Sequence, residues 1–336
     1  MQQAQLAVPV RRYPAKILQW RGTLELSASR MSSSPYCYSF PAMGSDCQLT
    51  LYAEDEARAD MVADAAMAEA WRIENKYSRF NGDSVLSEIN RAAARGEAVE
   101  IDAETAELFD YALSAFELSG GLFDISSGVL GRVWDFTSTT LSTPVAIEST
   151  LPLIGLQKVI RDEMQLRFAI PGMELDFGGI GKEYATDRCT DICGEMGITS
   201  GLIDLGGDIR AIGTLPNGQP WQIGIRHPGN PDVSLGNIML TSGAVATSGD
   251  YERYIEVDGK RYCHILNPQT GWPASGLASV SVMADQCLLA GTLATIAMLK
   301  GSAGKEWLQK LGVQYCWVDE EMHLGGNLAP SAARQG

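Results

Sequence analysis

The residues best suited to chemistry lie at positions 247–271, TSGDYERYIEVDGKRYCHILNPQTG. Two hydroxyls, Thr247 and Ser248, and a carboxylate, Asp250, open the segment. His264, one of three histidines, comes near its end, just before an Asn267-Pro268 turn. Between them an alternating stretch and an Asp258-Gly259 turn predict a hairpin that folds the imidazole back toward the hydroxyls and the carboxylate. Such a set suits a polar, phosphorylated ligand and the movement of a proton. The competing reading of His264 is a hydrogen-bonded structural histidine. His227 and His323 have no polar company and read as surface or structural residues.

Three further segments carry chemistry. In LDFGGIGK (175–182), Asp176, two glycines and Lys182 meet at a predicted helix start. Free N–H groups and a cation there make an anion cradle; the alternative is a tight turn with a solvent lysine. In LFD (122–124), Asp124 beside Phe123 suits a flat ring with polar edges, or caps the next turn. Gly206-Gly207-Asp208 puts bare backbone at a strand end, where ligands often bind, or is a plain β-turn. Thr292 and Thr295 sit in an apolar helix, where a hydroxyl ordinarily bonds back to its own helix.

The elements that must position these residues read as α+β in one domain. Strands are predicted at 47–52, 165–170, 174–177, 202–205, 222–225, 236–240, 253–257, 279–283 and 315–318. Helices are predicted at 56–76, 84–90, 102–119, 180–196, 287–299 and 305–311. Residues 1–34 are expected to be a poorly ordered extension, 35–328 the domain, and 329–336 a polar tail.

The 336 residues are 45% hydrophobic and 20% charged, enough for a sizeable core. A net charge of −15 argues against nucleic acid or an anionic membrane surface as partner. No apolar run approaches the length of a membrane span. The seven cysteines form no CxxC. Cys189 and Cys193 are spaced for a metal, or are ordinary buried thiols. Free thiols fit a reducing compartment. The expected location is cytoplasmic, with the periplasm as alternative.

The order of these blocks resembles the ApbE family, the FAD:protein FMN transferases. The blocks are AMGS (42–45), SRFNGDSVLSEIN (78–90), SGGLFDISSGVLGRVW (119–134), LDFGGIGKEYATD (175–187), DLGGD (204–208), ATSGDYERY (246–254), HILNPQTG (264–271) and LAT (293–295). The resemblance implies a single ApbE-like (T-fold-like) domain with mixed sheets and packed helices. It implies an enzyme that splits FAD and attaches FMN by a phosphoester to a Thr or Ser of an acceptor flavoprotein. AMP leaves, and Mg²⁺ assists. Position by position, Met43, Phe80, Leu122, Phe123, Asp124, Asp176 and Lys182 match flavin-nucleotide contacts. The Gly179 carbonyl and the Thr295 hydroxyl match metal ligands. His264 is the candidate for proton transfer, with Asp250 as catalytic partner and Thr247 and Ser248 as contacts.

The chain departs from the family at three places. Gly291 replaces the metal-binding aspartate, Phe80 stands where Tyr is common, and Asn267 where Asp is common. Mg²⁺ prefers anionic oxygen, so the loss at 291 is expected to weaken it. Two readings follow: a transferase that holds its metal through FAD phosphates, water, Thr295 and Thr292, or a non-catalytic FAD-binding or flavin-delivery protein.

Overall fold

The computed structural model describes Arg11, Arg12 and residues 34–329. Apart from Arg11, Arg12, Ser34 and Ala329, the expectations for 1–34 and 329–336 lie outside the described residues.

Arg11–Arg12 (β1), Tyr36–Ala42 (β2) and Ser45–Leu51 (β3) precede the helix Glu56–Tyr77 (α1). Asp55 caps α1 by accepting from the Arg58 N–H, and the stripe of Ala59, Ala63, Ala66 and Ala70 lets it lie close to its neighbours. Val85–Arg95 (α2), Val99–Glu100 (β4) and Ala103–Ser119 (α3) follow. Ser84 and Asp102 cap α2 and α3, and Gly96 and Gly120 end them in the left-handed conformation. A 3₁₀ segment, Ile125–Arg132, and the helix Pro144–Thr150 (α4) lead to the hairpin Val159–Asp162 (β5) and Gln165–Phe168 (β6).

That hairpin turns at Glu163 (φ 49°), so the strand predicted at 165–170 is its second arm and pairs with β5. Residues 174–177 form no strand. The Asn90 side chain takes both backbone groups of Leu175, donating to its carbonyl at 2.9 Å and accepting from its N–H at 2.8 Å. A strand partner has nothing left to bond there.

Gly181–Glu195 (α5), Gly201–Leu205 (β7) and Asp208–Ile212 (β8) come next, then the ribbon Trp221–His227 (β9) with Asn230–Leu240 (β10). Gly243–Gly249 (β11), the hairpin Tyr254–Val257 (β12) with Lys260–Cys263 (β13), and Ser279–Ala284 (β14) precede Cys287–Lys300 (α6) and Ala303–Leu311 (α7). Gln314–Val318 (β15) and Leu324–Gly325 (β16) end the fold.

Among the described residues one sheet runs β1-β2-β3-β7-β8-β11-β14-β15-β16, each neighbouring pair antiparallel. Helices α1, α5 and α6 cover one face, and the β9–β10 ribbon packs Trp221, Ile223 and Ile225 on the other. Leu49, Leu51, Ile203 and Leu205 lie wholly buried in the helix-side core. Each contributes about 1.5–3 kcal/mol relative to exposure. The α+β, single-domain expectation holds. Cys189 donates to the Ala66 carbonyl of α1 at 3.2 Å and Cys193 is fully buried, so the pair is ordinary core thiols.

Candidate functional site

Two turns and a strand end meet at one end of the sheet. The β2–β3 turn carries Met43 (φ 54°) and Gly44 (φ 69°), and the Met43 N–H donates to Glu74 Oε1 at 2.7 Å. The β7–β8 turn is Gly206-Gly207, both at positive φ, with the Gly207 N–H donating to Asp204 Oδ1 at 2.7 Å. A Cβ on Gly206 would lie 2.6 Å from the Ser45 Cβ and 3.4 Å from Lys182 Nζ. A Cβ on Gly44 would lie 3.0 Å from an Arg253 guanidinium nitrogen. Only glycine lets these turns close on one another and on the two cations. The pairing of β11 with β8 reaches only Val245–Ile209, so Thr247, Ser248 and Gly249 continue along β14 past the Gly206-Gly207 turn. The 247–249 cluster is thus the end of a strand, which the sequence reading missed.

Lys182, in the first turn of α5, donates to the Gly206 carbonyl at 2.9 Å and pairs with Asp208 at 3.1 Å. No side chain caps this helix start, and Gly178 and Gly179 are exposed ahead of it. The N–H groups of this start are left open to an anion, while Lys182 is turned onto Asp208 and the Gly206 carbonyl rather than out into solvent. Glu183 follows Lys182 and is 7% exposed. Burial opposes the charge on Lys182, but the Asp208 and Glu183 carboxylates outweigh it and hold its pKa above normal. Burial, and then the Asp208 charge, push the Glu183 pKa well up. Asp208 is likewise raised by burial. Among the described residues, the buried side-chain oxygens without a hydrogen-bond partner are Glu183 Oε2, Asp208 Oδ2 and Asp250 Oδ1. The 3.1 Å approach of Lys182 to Asp208 is therefore an ion pair out of hydrogen-bond alignment. No cluster of three His, Cys, Asp or Glu suited to a metal occurs among the described residues.

Asp187, one turn after Glu183, accepts the backbone N–H groups of Cys287 and Leu288 at 2.8 and 2.9 Å. It caps α6 from another helix, since Gln286 makes no cap bond of its own. Arg210 pairs with Asp187 at 3.0 Å. This docking places Gly291, one turn into α6, against Glu183: a Cβ at 291 would lie 2.5–2.9 Å from the Glu183 Cγ, Oε1 and Cδ.

Thr295, a further turn along, shares a 2.6 Å hydroxyl contact with Ser248. Thr247 makes a 2.7 Å contact with Ser281. Thr292 faces elsewhere. It accepts from the Tyr111 hydroxyl at 2.9 Å, so the site gains no ligand from it, and its partner is not its own helix.

The β12–β13 hairpin brings His264 back onto Arg253, whose carbonyl accepts from the His264 backbone N–H at 3.0 Å. The same carbonyl lies 3.2 Å from Nδ1. Since a carbonyl only accepts, Nδ1 carries the proton and Nε2 of the neutral ring has its lone pair free. The imidazole is open to solvent at a densely packed position, with the Phe136 ring edge-on at 6.5 Å. That crowding, and then the Arg253 charge, lower its pKa. Asp250 instead faces Arg261 at 3.7 Å, and burial pushes its pKa up to about 6. Asp250 therefore secures the hairpin through Arg261, while the Arg253 carbonyl orients His264. The catalytic pairing of the two expected from sequence is not how their partners are arranged.

Two carboxylates expected at the nucleotide are engaged by the protein itself. Asp124 Oδ1 accepts from the Ser126 N–H at 2.8 Å and its hydroxyl at 2.6 Å, and Oδ2 from the Leu156 N–H at 3.1 Å. It is the cap that its alternative reading proposed. Asp176 accepts from Arg79 at 2.8 Å and from the Gly178 N–H at 2.8 Å, holding the turn into α5. Phe123 is buried beneath Gly179, where a Cβ would touch its ring at 3.4 Å, and Leu122 is half-buried beside it. Phe80 is 88% exposed, an aromatic ring held in solvent. A separate open groove at the far end of α5, lined by Asp191, Arg210 and Asp285, lies away from these residues.

Sequence reasoning missed Arg79, Glu183, Asp187 and Arg253. Glu183 left one signal, an acid four residues before Asp187 on the face of α5 that is otherwise buried.

One long antiparallel sheet covered by helices on one face brings an uncapped helix start, a half-buried lysine paired with a buried carboxylate, and an imidazole with its Nε2 free to one end of an α+β fold. The ApbE family pattern matches residues 43–317, and the chain belongs to that family. An FAD:protein FMN transferase of Klebsiella pneumoniae is 34% identical over 75% of this chain and 78% of its own length. One from Treponema pallidum is 30% identical over 77% of each. The crystal structure of the ApbE protein of Thermotoga maritima superposes with a TM-score of 0.80 at 34% identity, covering 87% of this chain and 97% of that one. The apo flavinyl transferase ApbE of Pseudomonas stutzeri gives 0.77 at 28% identity, over 87% and 93%.

Proposed function

We propose that this chain is an FAD:protein FMN transferase. It takes FAD and an acceptor flavoprotein, joins FMN to a Thr or Ser of the acceptor, and releases AMP. The observation that carries the reading is the exposed Gly178-Gly179 start of α5 next to the half-buried Lys182, paired with the buried Asp208, at the same sheet end as His264. The helix start and Lys182 bind the pyrophosphate, and the exposed Phe80 ring is available to stack on a flat ligand. The acceptor hydroxyl oxygen attacks the phosphorus of the FMN half. A P–O bond forms, the bond to the bridging oxygen breaks, and its electron pair leaves with AMP. The hydroxyl proton passes to His264 Nε2, the free nitrogen opposite the Arg253 bond.

The oxygen donors here, with a buried carboxylate oxygen lacking a partner, fit a hard divalent cation. The Gly179 carbonyl and Thr295 hydroxyl would help to hold Mg²⁺. When bound, Mg²⁺ neutralises phosphate charge and polarises the P–O bonds. All seven cysteines are unpaired thiols, which supports a reducing compartment and hence a cytoplasmic location.

The test is incubation with FAD, Mg²⁺ and a co-expressed acceptor, followed by mass spectrometry and nucleotide chromatography. An FMN adduct on one Thr or Ser with stoichiometric AMP is expected. Bound FAD with neither product would reject transfer and leave a flavin carrier.

A further inference from the structure

We propose that Glu183 is the carboxylate ligand of the divalent cation, supplying from α5 the charge that the family's aspartate supplies from the position of Gly291 on α6. The inference rests on the transferase reading and specifies how this chain meets its metal requirement.

Helix register sets Glu183 and Gly291 against each other. Asp187 bonds to Cys287, the first residue of α6. One turn back along α5 is Glu183, and one turn forward along α6 is Gly291. These two meet, since a Cβ on Gly291 would fall 2.5–2.9 Å from three atoms of the Glu183 side chain. A further turn along α6 gives Thr295, and four residues before Glu183, in the turn just ahead of α5, is Gly179; these are the hydroxyl and carbonyl that the family resemblance marks as ligands. Glu183 therefore lies on the same facing rows, between the Asp187 cap and that ligand pair. An aspartate at 291 would require the space that the Glu183 side chain occupies. The glycine and the glutamate thus fit as a pair, with the anionic oxygen moved from one helix to the other.

Charge supports the same assignment. Glu183 is 7% and Asp208 2% exposed, and each has an oxygen without a hydrogen-bond partner. Lys182 is the cation paired with Asp208. Two buried carboxyls beside one lysine leave one of them without a cationic partner, and a buried site tolerates such a group poorly when it is ionised. A divalent cation corrects the balance and takes the unpartnered Glu183 oxygen as a ligand. Thr295 is held by Ser248 at 2.6 Å and is thus fixed in place on the neighbouring helix. Thr292, committed to Tyr111, adds nothing.

The test uses the full chain loaded with FAD, with Mn²⁺ binding read by the loss of its free electron paramagnetic resonance signal. Flavin fluorescence reports FAD binding separately. Glu183→Gln keeps the shape and removes the charge; it should bind FAD but weaken Mn²⁺ at least about tenfold. It should also lose the rise in melting temperature that Mg²⁺ gives the natural protein. The double variant Glu183→Gly/Gly291→Asp should restore Mn²⁺ affinity to within about threefold. Gly291→Asp alone, crowding Glu183, should melt lower. Natural Mn²⁺ affinity in a folded Glu183→Gln overturns the proposal. If Glu183→Gln does not fold, the double variant decides: Mn²⁺ binding supports the swap, and its absence in a folded, FAD-binding protein overturns it. Failure of the natural protein to bind FAD at all would instead reject the transferase reading.

Discussion

Asp187 Oδ1 accepts the Cys287 backbone N–H at 2.8 Å, tying the middle of α5 to the first residue of α6. The contact spans one hundred residues and sets which turns of the two helices face each other. Asp187→Ala leaves two N–H groups in the first turn of α6 without their acceptor and removes a partner from Arg210. It should cost about 1–3 kcal/mol in urea unfolding. Because the same contact aligns the turns carrying Glu183 and Gly291, Mg²⁺ should stabilise the variant less than the natural chain. Unchanged stability would mean that α6 is held in register by packing alone.

Asp124 separates a structural from a ligand-binding carboxylate. Its oxygens satisfy Ser126 and the Leu156 N–H in a buried place. Asp124→Ala should therefore lower the stability of the FAD-free protein by about 1–3 kcal/mol. A residue that served only the nucleotide would leave the FAD-free melting curve where it was.

Phe80 should behave in the opposite way. At 88% exposed it contributes little to the core. Phe80→Ala should shift unfolding free energy by no more than about 0.5 kcal/mol. Loss of stacking should weaken FAD by about 1 kcal/mol, roughly fivefold in Kd by flavin fluorescence. Equal FAD affinity would remove Phe80 from the site.

Asp250 gives a pH signature in stability. Its folded pKa of about 6 lies above the ordinary carboxylate value because burial disfavours the charge. Between that ordinary value, about 3.9, and pH 6 the native state holds a proton that the unfolded chain has released. Its contribution therefore favours folding at the acid end of this window and is lost as pH rises through 6. Comparing unfolding free energies from pH 4 to 7, Asp250→Asn should remove this part of the slope. An identical slope in both proteins would show that Asp250 ionises normally.

Much of this architecture was legible from local patterns, and the exceptions share a cause. Helices α1, α3, α5 and α6 were read within a few residues, because their apolar stripes and caps are written in adjacent residues. Among the strands that were missed are β2, β4, β5, β8 and β11. The last holds Thr247 and Ser248, and its small residues look like a loop until β14 pairs with them. The substitution at Gly291 was visible as a lost carboxylate. Its counterpart at Glu183 was not, because nothing within either helix says that the two positions touch. That fact depends on Asp187 and Cys287 meeting across the fold. Asp124 and Asp176 looked like ligand contacts for the complementary reason: a residue's type was readable, but not the backbone groups that would occupy it.

His264 makes the prediction nearest the chemistry. A general base must be unprotonated, and crowding and the Arg253 charge lower its pKa, so the neutral ring persists below the usual histidine range. Transfer rate at saturating FAD should be flat through neutral pH. It should fall only on the acid side of the ordinary value of about 6.5, by about tenfold per pH unit once below the lowered pKa. His264→Gln should cut the rate by about 10²–10⁴-fold and abolish the acid limb, with FAD affinity little changed. The bond from Nδ1 to the Arg253 carbonyl fixes Nε2 as the nitrogen that takes the proton. The Arg253 side chain should then influence the profile without supplying the base. Arg253→Ala removes the positive charge but keeps the carbonyl, so its acid limb should move to higher pH while the limb itself remains. A profile unmoved in both variants would place the base elsewhere.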